Sequence, residues 1–387
     1  MKKILYTLWS VIIILSLTIY CSVIQNNNKI SYAEIDLSPT SKSALLMEYN
    51  TGSIVYEHDI DKRLPIASMV KMMTIYLTLK NIADENLSYS QKITTTENAS
   101  GMGGSQVFID PYVSYSVEDL LKSVIMASAN DASVALAEAI SGSEEAFVNE
   151  MNNVAKELGM NNTLYANCTG LPSPQQYSCA RDCAVLLKKV IEYEDYHKYS
   201  NVWIDELVHP SGRKTELVNT NKLVKYYKGC DCGKTGSTSE AGYCLTASAK
   251  RDNLRFISVV IGAKTGKDRF KESTDLFNYG YANFENKQIV SKDKDVEQIP
   301  TNNCRQEFCE VIPSEDFFAF DRKGNKSSYD LNYDIPSSIG ETKKGDTVGE
   351  LIITKDGNVI KVITLISNND IQKCTIFDNF KKIVSEW

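Results

Sequence analysis

Residues 43–58, SALLMEYNTGSIVYEH, hold two short apolar runs parted by Asn50-Thr51-Gly52. Strand-like stretches at 43–49 and 53–56 around a glycine turn predict a β-hairpin. The period then changes. Pro65 and Ser68 precede Met69, Met72, Met73, Ile75 and Tyr76, whose spacing predicts a helix from about 68 to 79. Residues 101–108, GMGGSQVF, read as a loop. Amphipathic patterns predict helices at 117–127, 132–140, 147–158 and 180–191, with a turn-rich segment at 167–172. Ser128-Ala129-Asn130-Asp131 separates the first two of these, and Asp131 is the expected cap.

Strands dominate after residue 234. The runs at 241–249 and 254–261 are rich in β-branched and apolar residues, and a helix at about 270–281 follows to pack on them. This order predicts a central sheet covered by helices on one or both faces. From residue 283 the pattern breaks into a charged stretch, 287–297, and short strand-like segments at 307–313, 316–320, 347–353 and 358–366. Glycines and prolines divide them, which predicts a small β domain over about 284–370. In the tail, 371–387, Ile376, Phe377, Phe380, Ile383, Val384 and Trp387 repeat at helical spacing. Such a stripe suits either a membrane interface, with Trp at the headgroup level, or docking on the β domain.

The start of the chain reads as a targeting segment. Lys2 and Lys3 precede an apolar run from Ile4 to about Tyr20, and Ser31-Tyr32-Ala33 suits cleavage before Glu34. A retained anchor is the alternative, because the apolar run is long. Thr18-Ile19-Tyr20 before Cys21 is too bulky for a lipidation site. No later segment has the length of a spanning helix. The formal charge is −7, and loss of residues 1–33 removes three lysines and no acid, leaving −10. That balance argues against nucleic acid as a partner. It leaves room for an anionic ligand in a locally basic cleft.

Ten cysteines, at 21, 168, 179, 183, 230, 232, 244, 304, 309 and 374, leave nine after cleavage, so at least one is unpaired. Export permits disulfides without requiring them. Buried thiols and one or more disulfides both remain open. Cys230 and Cys232 share a face of an extended strand and do not easily bridge each other. The three histidines, His58, His197 and His209, are scattered and give a metal site little support.

Three short segments carry the chemistry: Ser68-Met69-Val70-Lys71, Ser128-Ala129-Asn130 and Lys234-Thr235-Gly236. Each alone is common. Their order, in a chain that reads as exported, points to acyl transfer on a serine. Ser68 and Lys71, three residues apart on a helix, project from one side. A serine hydroxyl needs a base, and Lys71 serves if burial and a second cation, Lys234, lower its pKa. Ser128 would relay a proton to the leaving amine. Asn130 would hold Lys71 and a substrate amide. Lys234 and Thr235 would bind a carboxylate, and Gly236 would leave the strand edge open to an extended peptide. The N–H groups of Ser68 and Ser237 are the expected oxyanion donors.

SMVK, SAN and KTG at these positions resemble the low-molecular-mass penicillin-binding proteins, the serine D-alanyl-D-alanine carboxypeptidases. Thr51-Gly52, Asn130-Asp131-Ala132, Thr169-Gly170-Leu171-Pro172, Ala241-Gly242-Tyr243 and the ISVVIGA strand extend the resemblance over about 40–283. It implies an α/β-α fold: a β-lactamase/transpeptidase-like catalytic domain with a central antiparallel sheet and a helical region, followed by a small all-β domain. The implied boundaries are 1–33 for the signal, 34–283 for the catalytic domain, 284–370 for the β domain and 371–387 for the tail. The implied substrates are peptidoglycan stem peptides ending in D-Ala-D-Ala, with β-lactams as covalent inhibitors of Ser68 and no cofactor. Arg269 would be a further anchor for the terminal carboxylate. Endopeptidase or transpeptidase activity uses the same acyl-enzyme and stays open, as does a catalytically silent wall-binding role. A class A β-lactamase is disfavoured, because 161–172 lacks the glutamate that deacylation would need.

Overall fold

The computed structural model describes residues 36–325 and 327–378. The predicted signal, 1–33, and residues 379–387 of the tail lie outside them. The described residues from Thr40 onward belong to one compact unit.

The hairpin forms as predicted, with strands Ser43–Glu48 and Ile54–His58. The first of these also pairs antiparallel with Leu254–Ala263. Gly242–Arg251 and then Cys230–Thr238 complete a five-stranded antiparallel sheet. Cys230–Thr238 is the last strand in the order, so among the described residues one of its edges has no partner strand in the sheet. That strand carries Lys234-Thr235-Gly236.

On one face lies the helical region. Its centre is the helix Lys71–Ala83, in which every residue from Lys71 to Leu79 is buried. A helix apolar nearly all round belongs in a core rather than on a surface. Val117–Met126, Asn130–Ser141, Glu144–Glu157 and Ala180–Ile191 contribute to the same apolar core. Caps mark several starts: Ser116, Ser143 and Thr265 accept N–H bonds from Asp119, Ala146 and Asp268. On the sheet's other face lies the helix Gly266–Asn283. Its buried Glu272 accepts from Thr40 N (2.8 Å) and Ser41 Oγ (2.6 Å), tying the helix to the chain just before the first strand.

That helix runs directly into the strand Phe284–Val290, which pairs with Phe317–Arg322. A second five-stranded sheet follows, in the order Glu297–Pro300, Phe308–Pro313, Asn358–Ser367, Thr347–Lys355, Asp330–Asp334. It has its own apolar core around Val311, Leu351, Ile353, Ile363 and Leu365. Phe320 stacks on Phe284 at 5.2 Å and meets Phe256 of the first sheet edge-on at 6.2 Å, so the β-rich part rests on the sheet.

The structure corrects several local expectations. Ser68 lies in a 3-10 turn, Ala67–Val70, and the α-helix starts only at Lys71. Asp131 is not the cap of its helix. That position is Ala129, and the Asp131 carboxylate instead accepts N–H bonds from Val107 and Ile109 at 3.1–3.2 Å, pinning the 101–108 loop. The hairpin of Ile204–Val208 and Lys214–Val218 has no counterpart among the predicted elements. Each of its strands buries one residue, Leu207 or Leu217, so no clear alternation marks it. The nine described cysteines form no disulfide with one another, and only Cys374 is not buried. The disulfide alternative therefore fails among the described residues.

Candidate active site

The 3-10 turn presents Ser68, half-buried, just before the core helix. Ala67 adopts a left-handed φ of 49°, a conformation that costs a non-glycine residue free energy. Two glycines press on this turn from opposite sequence distances. A Cβ on Gly170, itself at φ +79°, would lie 2.1 Å from Ala67 O. One on Gly236 would lie 2.5 Å from Ile66 O and 3.0 Å from Ser68 N. Only glycine permits both approaches. The 167–172 turn and the edge strand thus clamp the residue before the serine.

Lys71 is fully buried one turn later. Its Nζ donates to Ser68 Oγ at 3.1 Å and to Thr169 O. Burial is the main cause that pulls its pKa from 10.5 to about 7, and the charges of Cys168 and Asp131 oppose the fall. Lys234 is also fully buried, and its Nζ donates to Ser128 Oγ at 2.7 Å. Burial first, then repulsion from Lys71 and Arg269, holds it well below the usual lysine range. The repulsion expected at Lys71 is thus felt chiefly at Lys234, while desolvation dominates at Lys71.

Ser128 sits between two helices at φ +60°, another left-handed non-glycine residue. Asn130 opens the next helix. Its Nδ2 donates to Gly103 O at 2.6 Å, its N–H donates to Ser105 O at 2.7 Å, and its buried Oδ1 has no partner among the described residues. The expected bond from Asn130 to Lys71 is therefore not made. Asn130 instead faces the 101–108 loop, where Gly104, at φ +82°, leaves room for it.

Ser68, Ser128, Thr235, Gly236, Ser237 and Arg269 line one cleft of about 410 Å³. Lys71 and Lys234 reach it through their bonds to the two serines, and Asn130 follows Ser128 directly. Ser68, Ser128, Thr235, Gly236 and Ser237 are thus gathered here with the two lysines behind them, while Asn130 turns to the 101–108 loop. Arg269, on the helix Gly266–Asn283, donates to Gly236 O at 3.0 Å, and its buried Nε has no partner among the described residues. The structure adds Trp203, Asn219, Thr220 and Lys222 to the lining, all beyond the reach of the motifs. It also gives Thr169 a part, through its carbonyl. The turn-rich 167–172 segment and its Thr169-Gly170-Leu171-Pro172 resemblance are the sequence signals for it.

This arrangement places a hydroxyl against a buried amine poised near neutrality, with a second hydroxyl and a second amine across the cleft. It suits nucleophilic attack on a carbonyl followed by proton transfer.

The model of the family described as D-alanyl-D-alanine carboxypeptidase matches residues 29–265, and that described as Penicillin-binding protein 5, C-terminal domain, matches 284–373. The D-alanyl-D-alanine carboxypeptidase DacF of Bacillus subtilis (strain 168) is 37% identical over 392 residues, covering 100% of this chain and 99% of the relative. Penicillin binding protein 5 from Haemophilus influenzae shares the fold with a TM-score of 0.67 and 32% identity, over 86% of this chain and 98% of that one. Penicillin-Binding Protein D2 from Listeria monocytogenes, solved in an ampicillin-bound form, aligns with a TM-score of 0.56 and 31% identity, over 62% of this chain and 97% of that one.

Proposed function

The chain belongs to the D-alanyl-D-alanine carboxypeptidase family, and we propose that Ser68, Lys71 and Ser128 carry its chemistry, with Asn130, Lys234, Thr235, Gly236, Ser237 and Arg269 binding substrate. The chain is a serine-type carboxypeptidase. The observation that carries the residue assignment is the 3.1 Å bond between Lys71 Nζ and Ser68 Oγ at a lysine held near pKa 7.

Neutral Lys71 takes the proton of Ser68 as Oγ attacks the carbonyl of the penultimate D-alanine. The developing oxyanion lies between the N–H groups of Ser68 and Ser237, each such donor contributing on the order of 3 kcal/mol. Ser128, backed by Lys234, passes a proton to the leaving amine. The terminal carboxylate sits against Lys234, Thr235 and Arg269. Its charge would restore the protonated state that burial disfavours at Lys234, and that cation would in turn keep Lys71 neutral. Water then hydrolyses the acyl-serine. The substrate is the D-Ala-D-Ala terminus of peptidoglycan stem peptides, and β-lactams acylate the same serine. The unpaired edge of Cys230–Thr238 supports antiparallel docking of the peptide.

The assignment is tested by incubating the chain from Glu34 onward with a diacyl pentapeptide ending in D-Ala-D-Ala, beside Ser68→Ala. Free D-alanine, measured by mass, is expected from the native protein alone. Release by both proteins would end the role of Ser68.

Residues 1–33 direct export, 34–283 form the catalytic domain and 284–370 the β domain, which holds the cleft away from a membrane surface met by the tail. No helix among the described residues is long and apolar enough to cross a membrane. At the tail's described start Ile376 and Phe377 are 91% and 66% exposed, which supports contact through the outer face of the cytoplasmic membrane. Binding of the full chain, but not of one ending at 374, to anionic lipid vesicles is the expected result. Equal partition of the two would remove the membrane from the reading.

A further inference from the structure

Lys71 is held by a backbone oxygen, Thr169 O, and that oxygen must itself be held. It belongs to the dipeptide Cys168-Thr169, on which several elements of the site converge. Cys168 O accepts from Thr74 Oγ1 and from Ser133 Oγ, each at 2.9 Å. Thr74 follows Lys71 by three residues and Ser133 follows Asn130 by three, so each hydroxyl shares a helix face with a motif residue. Thr74, Ser133 and Cys168 are all fully buried. Asn167 Oδ1 accepts from Gly170 N–H at 2.7 Å, the N–H of the same amide whose carbonyl is Thr169 O. A further hold comes from outside the motifs. Glu144, half-buried at the start of the helix Glu144–Glu157, accepts on one carboxylate oxygen from Cys168 N–H at 3.1 Å and from Cys168 Sγ at 3.3 Å.

We propose that Glu144 is a positioning residue for acylation: through Cys168 it fixes Thr169 O, and Thr169 O aims the Lys71 amine at Ser68. The inference rests on Lys71 as the base. An ammonium has three N–H donors and no acceptor. The neutral amine has two donors and one lone pair, and only the lone pair can take the Ser68 proton. A carbonyl oxygen only accepts, so Thr169 O claims one N–H of the amine. With that N–H directed away, the lone pair can face Ser68 Oγ, 3.1 Å from Nζ. If Thr169 O drifts, the amine turns about its Cε–Nζ bond and the lone pair spends less time on the hydroxyl. The dipeptide depends on Glu144 because a buried donor left without an acceptor carries a desolvation penalty, which a shift of the backbone relieves.

A carboxylate at a helix start also favours the helix dipole, which is a purely structural role. Glu145 separates the two. It is exposed, shares the same first turn, and makes no bond to the dipeptide among the described residues. A glutamine at 144 separates them from the other direction, since it keeps the acceptor oxygen and gives up the charge.

The test follows acylation of the chain from Glu34 onward by a labelled penicillin in stopped flow, at a pH above the acid limb, so that protonation of Lys71 does not limit the rate. The amplitude counts folded sites, and the rate constant reports how each folded site reacts. Glu144→Ala should slow acylation about tenfold at full amplitude. Glu144→Gln and Glu145→Ala should both stay within about twofold of native. Ser133→Ala removes one of the two hydroxyls on Cys168 O and should cost about threefold; it decides the question if Glu144→Ala does not fold. A native rate constant in Glu144→Ala, with or without a lower melting temperature, would overturn the proposal, as would a native rate in Ser133→Ala where the other variant is unfolded. Losses in Glu144→Gln or Glu145→Ala as large as in Glu144→Ala would overturn it too, tracing the effect to charge at the helix start. Lys71→Ala acylating at the native rate would bring down the base assignment as well; a dead Lys71→Ala beside a normal Glu144→Ala would remove the positioning role alone.

Discussion

Lys234 Nζ donates to Ser128 Oγ over 2.7 Å, joining the edge strand of the sheet to a turn between two helices. The bond spans 106 residues of sequence and aligns the proton relay with the carboxylate site. Ser128→Ala removes the relay and leaves Lys234 buried without that partner. Acylation by a labelled penicillin is expected to slow by roughly 10²-fold or more. Stopped-flow rates, with thermal melting as a check on folding, decide the matter; a rate within twofold of native would exclude Ser128 from proton transfer.

The acylation rate should depend on the charge of Lys71. Below its pKa of about 7 the amine is protonated and cannot accept the Ser68 proton, so the rate should rise about tenfold per pH unit and level off above neutrality. Stability follows the same group. The folded pKa lies near 7 and the ordinary value is 10.5, so between these pH values the unfolded chain binds a proton that the folded one does not. Stability should therefore rise with pH across that window relative to Lys71→Met. Chemical denaturation at several pH values measures the difference, and parallel curves for the two proteins would contradict the assignment.

Asp131→Asn combines two effects. The carboxylate accepts from Val107 and Ile109 N–H, and the amide would turn a donor toward one of them, at a cost of about 1–3 kcal/mol. Its charge also raises the Lys71 pKa. With that charge gone, the acid limb of the acylation profile should move to lower pH. A limb displaced upward would show that the carboxylate does not act on Lys71.

Gly170→Ala tests the clamp on the nucleophile turn. The position has φ +79°, and the new methyl would meet Ala67 O at 2.1 Å. A displacement of the serine by about 1 Å is expected to cost on the order of 10²-fold in acylation. Gly142→Ala is the control: also at positive φ, it meets nothing within 4 Å. Its effect should be confined to melting temperature. Equal acylation losses in both would mean that backbone strain alone, and not the contact with Ala67, is responsible.

Much of this was legible along the chain. The hairpin, the core helix and the two long strands of the first sheet carry strong periodicity, because each buries a continuous face. The three motifs are local words whose residue types are demanded by the reaction. The short hairpin at 204–218 carries no legible pattern because each strand buries a single leucine, yet its end contributes Val218 and the following residues to the cleft. The role of Asp131 is hidden from the sequence for a related reason. Sequence shows an acid at a helix start, where capping is the commonest use, and not the loop that lies above it.

The sequence by itself determined the strongly periodic elements of the first sheet and its core helix, the nucleophile and base three residues apart, and the two further polar segments of the site. Those properties follow from local spacing and side-chain chemistry. Only the tertiary structure decided that Thr169 O holds Lys71, that Asn130 turns to Gly103, and that Lys234 meets Ser128. It also decided that both lysines lie fully buried, and hence that their pKa values fall. Desolvation depends on every atom packed around a charge, and those atoms come from segments a hundred residues apart. No local pattern encodes that sum.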